Sequence, residues 1–195
     1  MNRLFPLLAL WISFSASAEA QQSKNSWGLA DNLNLYPFEK MNAFLSAPDI
    51  KKSTADIEIR LYTSGSPSGL TSLTSLVYSD HQWNATYHSR KRRTVDDPAD
   101  ATFPIKINQI AGKKLDSVFV GLVSHNVFTL PDQSQTSKPN VMIPYTILVK
   151  SNQQVRCYRF QDTWMIDDSY SEEFKEYKSI VELFSYVNDN FPLKM

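Results

Sequence analysis

From residue 145 to residue 191 the sequence changes period twice, and that succession restricts the folds open to the whole chain. Tyr145, Ile147 and Val149 alternate with Thr146, Leu148 and Lys150, the period of two expected of a strand with distinct faces. Ser151, Asn152, Gln153 and Gln154 make a polar turn, and 155–160 return as a second strand. A helical period follows over 171–190. Phe174, Tyr177, Ile180, Val181, Phe184 and Val187 fall on one stripe, with Lys175, Lys178, Glu182 and Asp189 opposite. Ser169 with Glu172 matches a capping box, Asp167 and Asp168 suit the positive end of the helix dipole, and Asn190 with Pro192 closes the helix. Burying such a stripe at about 1.5–3 kcal/mol per side chain yields about 10 kcal/mol, and ordering the helix backbone costs at least as much. The helix therefore requires a sheet to lie on, and the preceding hairpin supplies one.

The upstream chain reads as more sheet. Phe38, Met41, Phe44 and Leu45 share one helical face between Pro37 and Pro48. Ile57, Ile59 and Leu61 alternate with Glu58, Arg60 and Tyr62, the pattern of a half-buried strand. The run from Ser64 to Gly69 breaks it; strands are expected over 73–79 and 83–89, joined at Asp80, His81 and Gln82, and again around Phe103, Ile105 and Ile107. The segment 115–123 fits two templates. Val118, Phe119 and Val120 favour a strand by propensity, whereas Leu115, Val118, Phe119, Leu122 and Val123 recur at helical spacing, and the helical reading is preferred despite Gly121. The expected architecture is a single α+β domain over 21–195. It has an antiparallel sheet of five to six strands, the amphipathic C-terminal helix, and one or two further helices packed on it.

Met1, Asn2 and Arg3 precede an apolar run over 4–14 and small residues ending at Ala18 or Ala20, the pattern of a cleaved signal peptide over 1–20. The expected location is accordingly periplasmic or secreted, without a membrane anchor. Twenty basic residues balance twenty acidic ones over 195 positions, which argues against nucleic acid as the main partner. One cysteine, Cys157, forms no intramolecular disulfide, and a chain of this length buries a core without one.

The Leu130-Pro131-Asp132 break, the hairpin carrying Tyr145-Thr146-Ile147 and Cys157-Tyr158-Arg159-Phe160, and the closing helix together resemble the layout of small exported bacterial single-domain proteins of unassigned function. The resemblance spans 115–191. It implies a bacterial, non-catalytic domain and carries no catalytic residues with it.

No constellation for catalysis emerges from the spacing. His81, His88 and His125 are the three histidines, read as a turn residue and a strand-surface residue in the first two cases, with no metal-ligand spacing; no metal or cofactor is expected. Cys157 reads as a packed, inert thiol, because Arg156 lies on the other face of its strand. Asp96 with Asp97 and Asp167 with Asp168 are adjacent pairs whose side chains diverge. The function expected is non-catalytic binding of a protein or polysaccharide partner; the alternative is a small extracytoplasmic hydrolase acting on cell-wall or sugar substrates. The candidate contact residues are Arg156, Tyr158 and Phe160, read as an outward row on the last strand, together with Arg90, Lys91, Arg92 and Arg93.

Overall fold

The computed structural model describes residues 38–64, 69–94, 96–98, 100–110, 114–132, 145–152, 154–160 and 172–188, with backbone alone for 172–174. The expected signal segment, the capping pair's Ser169, and Asn190 and Pro192 lie outside these residues. The elements are α1 (Phe38–Leu45), a 3-10 turn (Ile50–Lys52), β1 (Ile57–Thr63), β2 (Leu70–Ser79), β3 (Gln82–Lys91), β4 (Lys106–Ile110), α2 (Leu115–Ser124), β5 (Tyr145–Ser151), β6 (Gln154–Phe160) and α3 (Glu172–Val187). The six strands form one antiparallel sheet in the order β4-β3-β2-β1-β5-β6. The expected α+β class is what the chain adopts.

One sheet face carries α2 and α3. Ile57, Ile59, Leu61, Leu76, Ile147 and Val149 meet Val118 and Leu122 of α2 and Tyr177, Ile180, Val181, Phe184 and Val187 of α3 in a single apolar cluster. The helical spacing in 115–123 thus prevails over β propensity. Gly121 contributes by absence: a Cβ there would stand 3.0 Å from a methyl of Leu183, so the glycine lets α3 approach α2.

The opposite face is covered too, which corrects the half-buried reading of β1. All seven β1 residues are buried. Phe38, Met41 and Leu45 of α1 and Ile50 of the 3-10 turn pack on Tyr62, Leu73 and Leu148. Beneath them lies a polar network. Arg60, 1% exposed, donates from Nε to Glu58 at 2.6 Å and from one NH group to the Pro48 carbonyl at 2.7 Å and to the Tyr62 hydroxyl at 3.3 Å. The Tyr62 hydroxyl in turn donates to Asn42 of α1 at 2.7 Å. Lys150, opposite Glu58 in the β1–β5 register, donates to the Ser53 carbonyl. Burial works against the Arg60 charge, and Tyr62 and Glu58 more than offset it, so its pKa rises above the ordinary guanidinium value.

Neither α1 nor α2 has a basic residue in its last turn, although the exposed carbonyls there carry the negative end of the helix dipole. The sheet supplies hydrogen-bond donors instead. At α1, His88 donates from Nδ1 to Leu45 at 3.1 Å and Arg90 reaches Phe44 at 3.5 Å. His88 is therefore buried under α1, a correction to its reading as a surface residue. Past the end of α2, Arg156 donates to the carbonyls of Phe128, Thr129 and Leu130, the middle one at 3.1 Å.

The strand expected around Phe103, Ile105 and Ile107 begins later, at Lys106, and Ile107 is one of its exposed residues. Its placement follows the β3 ladder, where Ser89 pairs with Lys106 and Ala85 with Ile110, rather than the apolar alternation. The β2–β3 turn is tighter than the sequence reading. Ser79 pairs with Gln82, so Asp80 and His81 alone turn the chain, at φ of 50° and 62°, the left-handed pair a two-residue hairpin demands.

Candidate functional site

Two groups of residues are candidates for partner contact, and the structure separates them. In the β5–β6 hairpin the register sets Tyr145 opposite Phe160, Ile147 opposite Tyr158 and Val149 opposite Arg156. Directly opposed residues project to the same face of a sheet. Tyr158 and Phe160 therefore follow Ile147 onto the helix side and are 0% exposed there. Phe160 stacks on Tyr145 at 5.2 Å and on Tyr177 of α3 at 4.7 Å. The Tyr158 hydroxyl donates to the Val127 carbonyl at 3.0 Å, and burial pushes its pKa well up. Arg156 is committed to the three carbonyls after α2 and lies 5.4 Å over the Tyr158 ring. The outward row Arg156, Tyr158 and Phe160 is thus a correction: these residues build core and hold α2, and hairpin register outweighs side-chain size.

Cys157 lies on the other face with Leu148 and Val155. Burial, with Asp132 nearby, pushes its thiol up to about 12. At pH 8 about one such thiol in ten thousand is ionised. Labelling of the folded protein by a thiol reagent is expected to run about a hundredfold or more slower than in denaturant. Equal rates would show that the thiol is neither buried nor disfavoured as a thiolate.

The second group, Arg90 to Arg93, is brought together with aromatic rings that the sequence reading assigned elsewhere. The end of β3 runs under the C-terminus of α1, so the guanidinium groups of Arg90 and Arg92 lie 4.8 Å and 5.2 Å over the ring of Phe44. Arg90 donates from Nε to the Phe103 carbonyl at 3.0 Å, and the Lys91 ammonium sits 4.7 Å over the Phe103 ring. These side chains, with Arg93, Ala101, Thr102 and Pro104, line an open groove of about 620 Å³. The sequence places Phe44 on the apolar face of a short helix and Phe103 in a strand with Ile105 and Ile107. The one signal that pointed here was the basic block itself.

The groove's cations differ in what they already hold. Lys91 pairs with Asp97 at 2.6 Å. Asp97 also accepts from the Thr94 N–H and hydroxyl, each at 2.8 Å, folding the 94–97 turn against the end of β3. The Lys91 bond, then the Thr94 N–H and hydroxyl, hold the Asp97 carboxyl down to about 2. Because this pKa is depressed in the folded state, the stabilisation is complete above the ordinary carboxylate value and is lost as pH falls through about 2. A carbon-detected titration of Asp97 should therefore have its midpoint near 2, and a midpoint near 4 would show the turn unlatched. Arg92 and Arg93 are exposed and pair with no carboxylate among the described residues.

Among the described residues the lining contains no carboxylate, histidine or cysteine, and the groove offers positive charge and aromatic surface. A second cleft, of about 430 Å³ beside the β2–β3 turn, is lined by His81, Trp83, Lys114, Asp116 and Ser117 among others. No hydrogen bond among the described residues links its histidine to the carboxylate or the serine. Among the described residues no three histidine, cysteine or carboxylate side chains converge on a metal position. No described helix is long and apolar enough to cross a membrane. Compared with protein-family models, curated proteins and solved structures, the chain matches none.

Proposed function

We propose that this chain is a non-catalytic binding protein, acting after export in the periplasm or outside the cell, whose contact surface for an acidic protein partner is the Arg90–Arg93 groove. The observation that carries the reading is the stack of Arg90 and Arg92 over Phe44, beside an Arg93 that has no carboxylate partner among the described residues. Two guanidinium groups supported on one ring are held in place before any ligand arrives, which lowers the entropy lost on binding. Arginine forks match carboxylates, and Phe44, Ala101, Phe103 and Pro104 add apolar surface between the charges. The side chains of the lining supply donors with few acceptors, a poor match for the hydroxyls of a neutral sugar.

Titration with poly-L-glutamate in low salt tests this reading. The Arg92→Glu/Arg93→Glu variant is expected to bind about tenfold or more weakly with an unchanged melting temperature, because both side chains are exposed. Equal binding by the variant would contradict the groove as the contact surface. Tighter binding of dextran sulfate than of poly-L-glutamate, lost in the same variant, would move the assignment to an anionic polysaccharide.

A further inference from the structure

The sheet has two edges, and the chain treats them differently. At β6 part of the edge is guarded: Asp132 accepts from the Arg159 N–H at 2.9 Å, and the carbonyls before Asp132 are tied down by Arg156 and Tyr158. At β4 there is no such cover among the described residues, and Lys106, Ile107, Asn108 and Gln109 are all exposed. An open strand edge presents unpaired backbone donors and acceptors to any extended chain, and folded proteins usually blunt it.

The register identifies which groups these are. Ser79 and Gln82 close a two-residue hairpin and so exchange both backbone hydrogen bonds. Bonding then alternates along β3: even-numbered residues bond β2, as the Arg92 N–H does at its far end to the Gly69 carbonyl at 2.8 Å. Odd-numbered Ala85, Tyr87 and Ser89 bond β4 at Ile110, Asn108 and Lys106. Ile107 and Gln109 are left with their N–H and C=O groups pointing away from the sheet, about 7 Å apart.

We propose that this edge accepts an extended segment of a protein partner as an added antiparallel strand, and that carboxylates at the segment's C-terminal end enter the basic groove; this rests on the acidic-partner reading above. Antiparallel pairing sets the polarity. A strand antiparallel to β4 leaves the sheet past Lys106, towards Pro104, Phe103 and Thr102, which line the groove with Arg92 and Arg93. Ile107, 52% exposed, gives the incoming strand an apolar neighbour. A second copy of this chain fits poorly. Two-fold pairing about Asn108 sets Lys106 against Ile110, and the sequence that follows Ile110 in a copy is Ala-Gly-Lys-Lys, which brings cations and no carboxylate.

The test uses the mature protein and two fluorescent peptides, Thr-Val-Thr-Val-Thr-Glu-Glu-Glu and Glu-Glu-Glu-Thr-Val-Thr-Val-Thr. The first is expected to bind about tenfold or more tightly than the second. Gln109→Pro removes one outward N–H and leaves the β3 ladder intact, so it should lower that affinity by about tenfold, while Gln109→Thr leaves it unchanged. Where Gln109→Pro disturbs folding, a version of the first peptide N-methylated on alternate residues removes the same bonds from the ligand side. Poly-L-glutamate binding should not respond to Gln109→Pro. Equal affinity for the two peptides, or full affinity of Gln109→Pro and of the N-methylated peptide, overturns the added strand while leaving the groove standing. Absence of poly-L-glutamate binding to the unaltered protein overturns the groove itself.

Discussion

Arg156→Ala is expected to lower the unfolding free energy by about 2–4 kcal/mol, read from denaturant melts at neutral pH. The guanidinium donates to three successive carbonyls, those of Phe128, Thr129 and Leu130, and nothing in the last turn of α2 replaces it. Hydrogen bonds to a charged partner each contribute about 1.5–3 kcal/mol net, and part of that is recovered as water reaches the freed carbonyls. Desolvation lowers the Arg156 pKa, a sign that the charge is held away from water. Lysine at this position places one ammonium where a fork spans three acceptors, so Arg156→Lys should recover less than half of the loss. A change below about 0.5 kcal/mol for Arg156→Ala would mean that Arg156 is a surface residue free for other work.

Arg60→Met should cost about 3–5 kcal/mol, because it leaves the buried Glu58 carboxylate without its 2.6 Å partner. It also releases the Pro48 carbonyl and the Tyr62 hydroxyl, and through Tyr62 the contact with Asn42 of α1. The companion Arg60→Met/Glu58→Leu should recover most of the stability, since an apolar pair of similar volume costs no desolvation of charge. The double variant separates two roles for the network. Stability should return, while hydrogen exchange over α1 stays faster than in the unaltered protein, because the Pro48 latch is still gone. If the single variant lost no stability, the ion pair would not be holding α1 and the 3-10 turn on the sheet.

The strands of the fold were legible wherever an alternating pattern met one apolar face, as at Tyr145, Ile147 and Val149. Less legible was what covers the second face. Glu58, Arg60 and Tyr62 alternate with apolar residues as a solvated face would, yet they lie under α1, where their polar groups hold the Pro48 carbonyl and Asn42. Alternation reports that two faces differ in chemistry; it does not report that one of them is wet. The β6 row failed for a related reason. Arginine next to two aromatic rings looks like an interface, but the pairing of Ile147 with Tyr158 had already assigned that row to the core. The basic block was legible as charge, whereas its aromatic floor was not: Phe44 is 46 residues from Arg90 in sequence and meets it only once α1 lies across β3. The open edge of β4 had no sequence signal, since it depends on which strand is last in the sheet.

The most direct test of the contact surface is an amide chemical-shift map of the protein as poly-L-glutamate is added at low salt. The largest shifts are expected at Phe44, Arg92, Arg93, Thr102 and Phe103, reversed by added salt as screening shortens the range of the charges. Arg156, Tyr158 and Phe160 should stay in place throughout. Shifts concentrated on β6 with a silent Arg92 and Arg93, or no saturable shifts at all, would contradict the groove as the proposed contact surface.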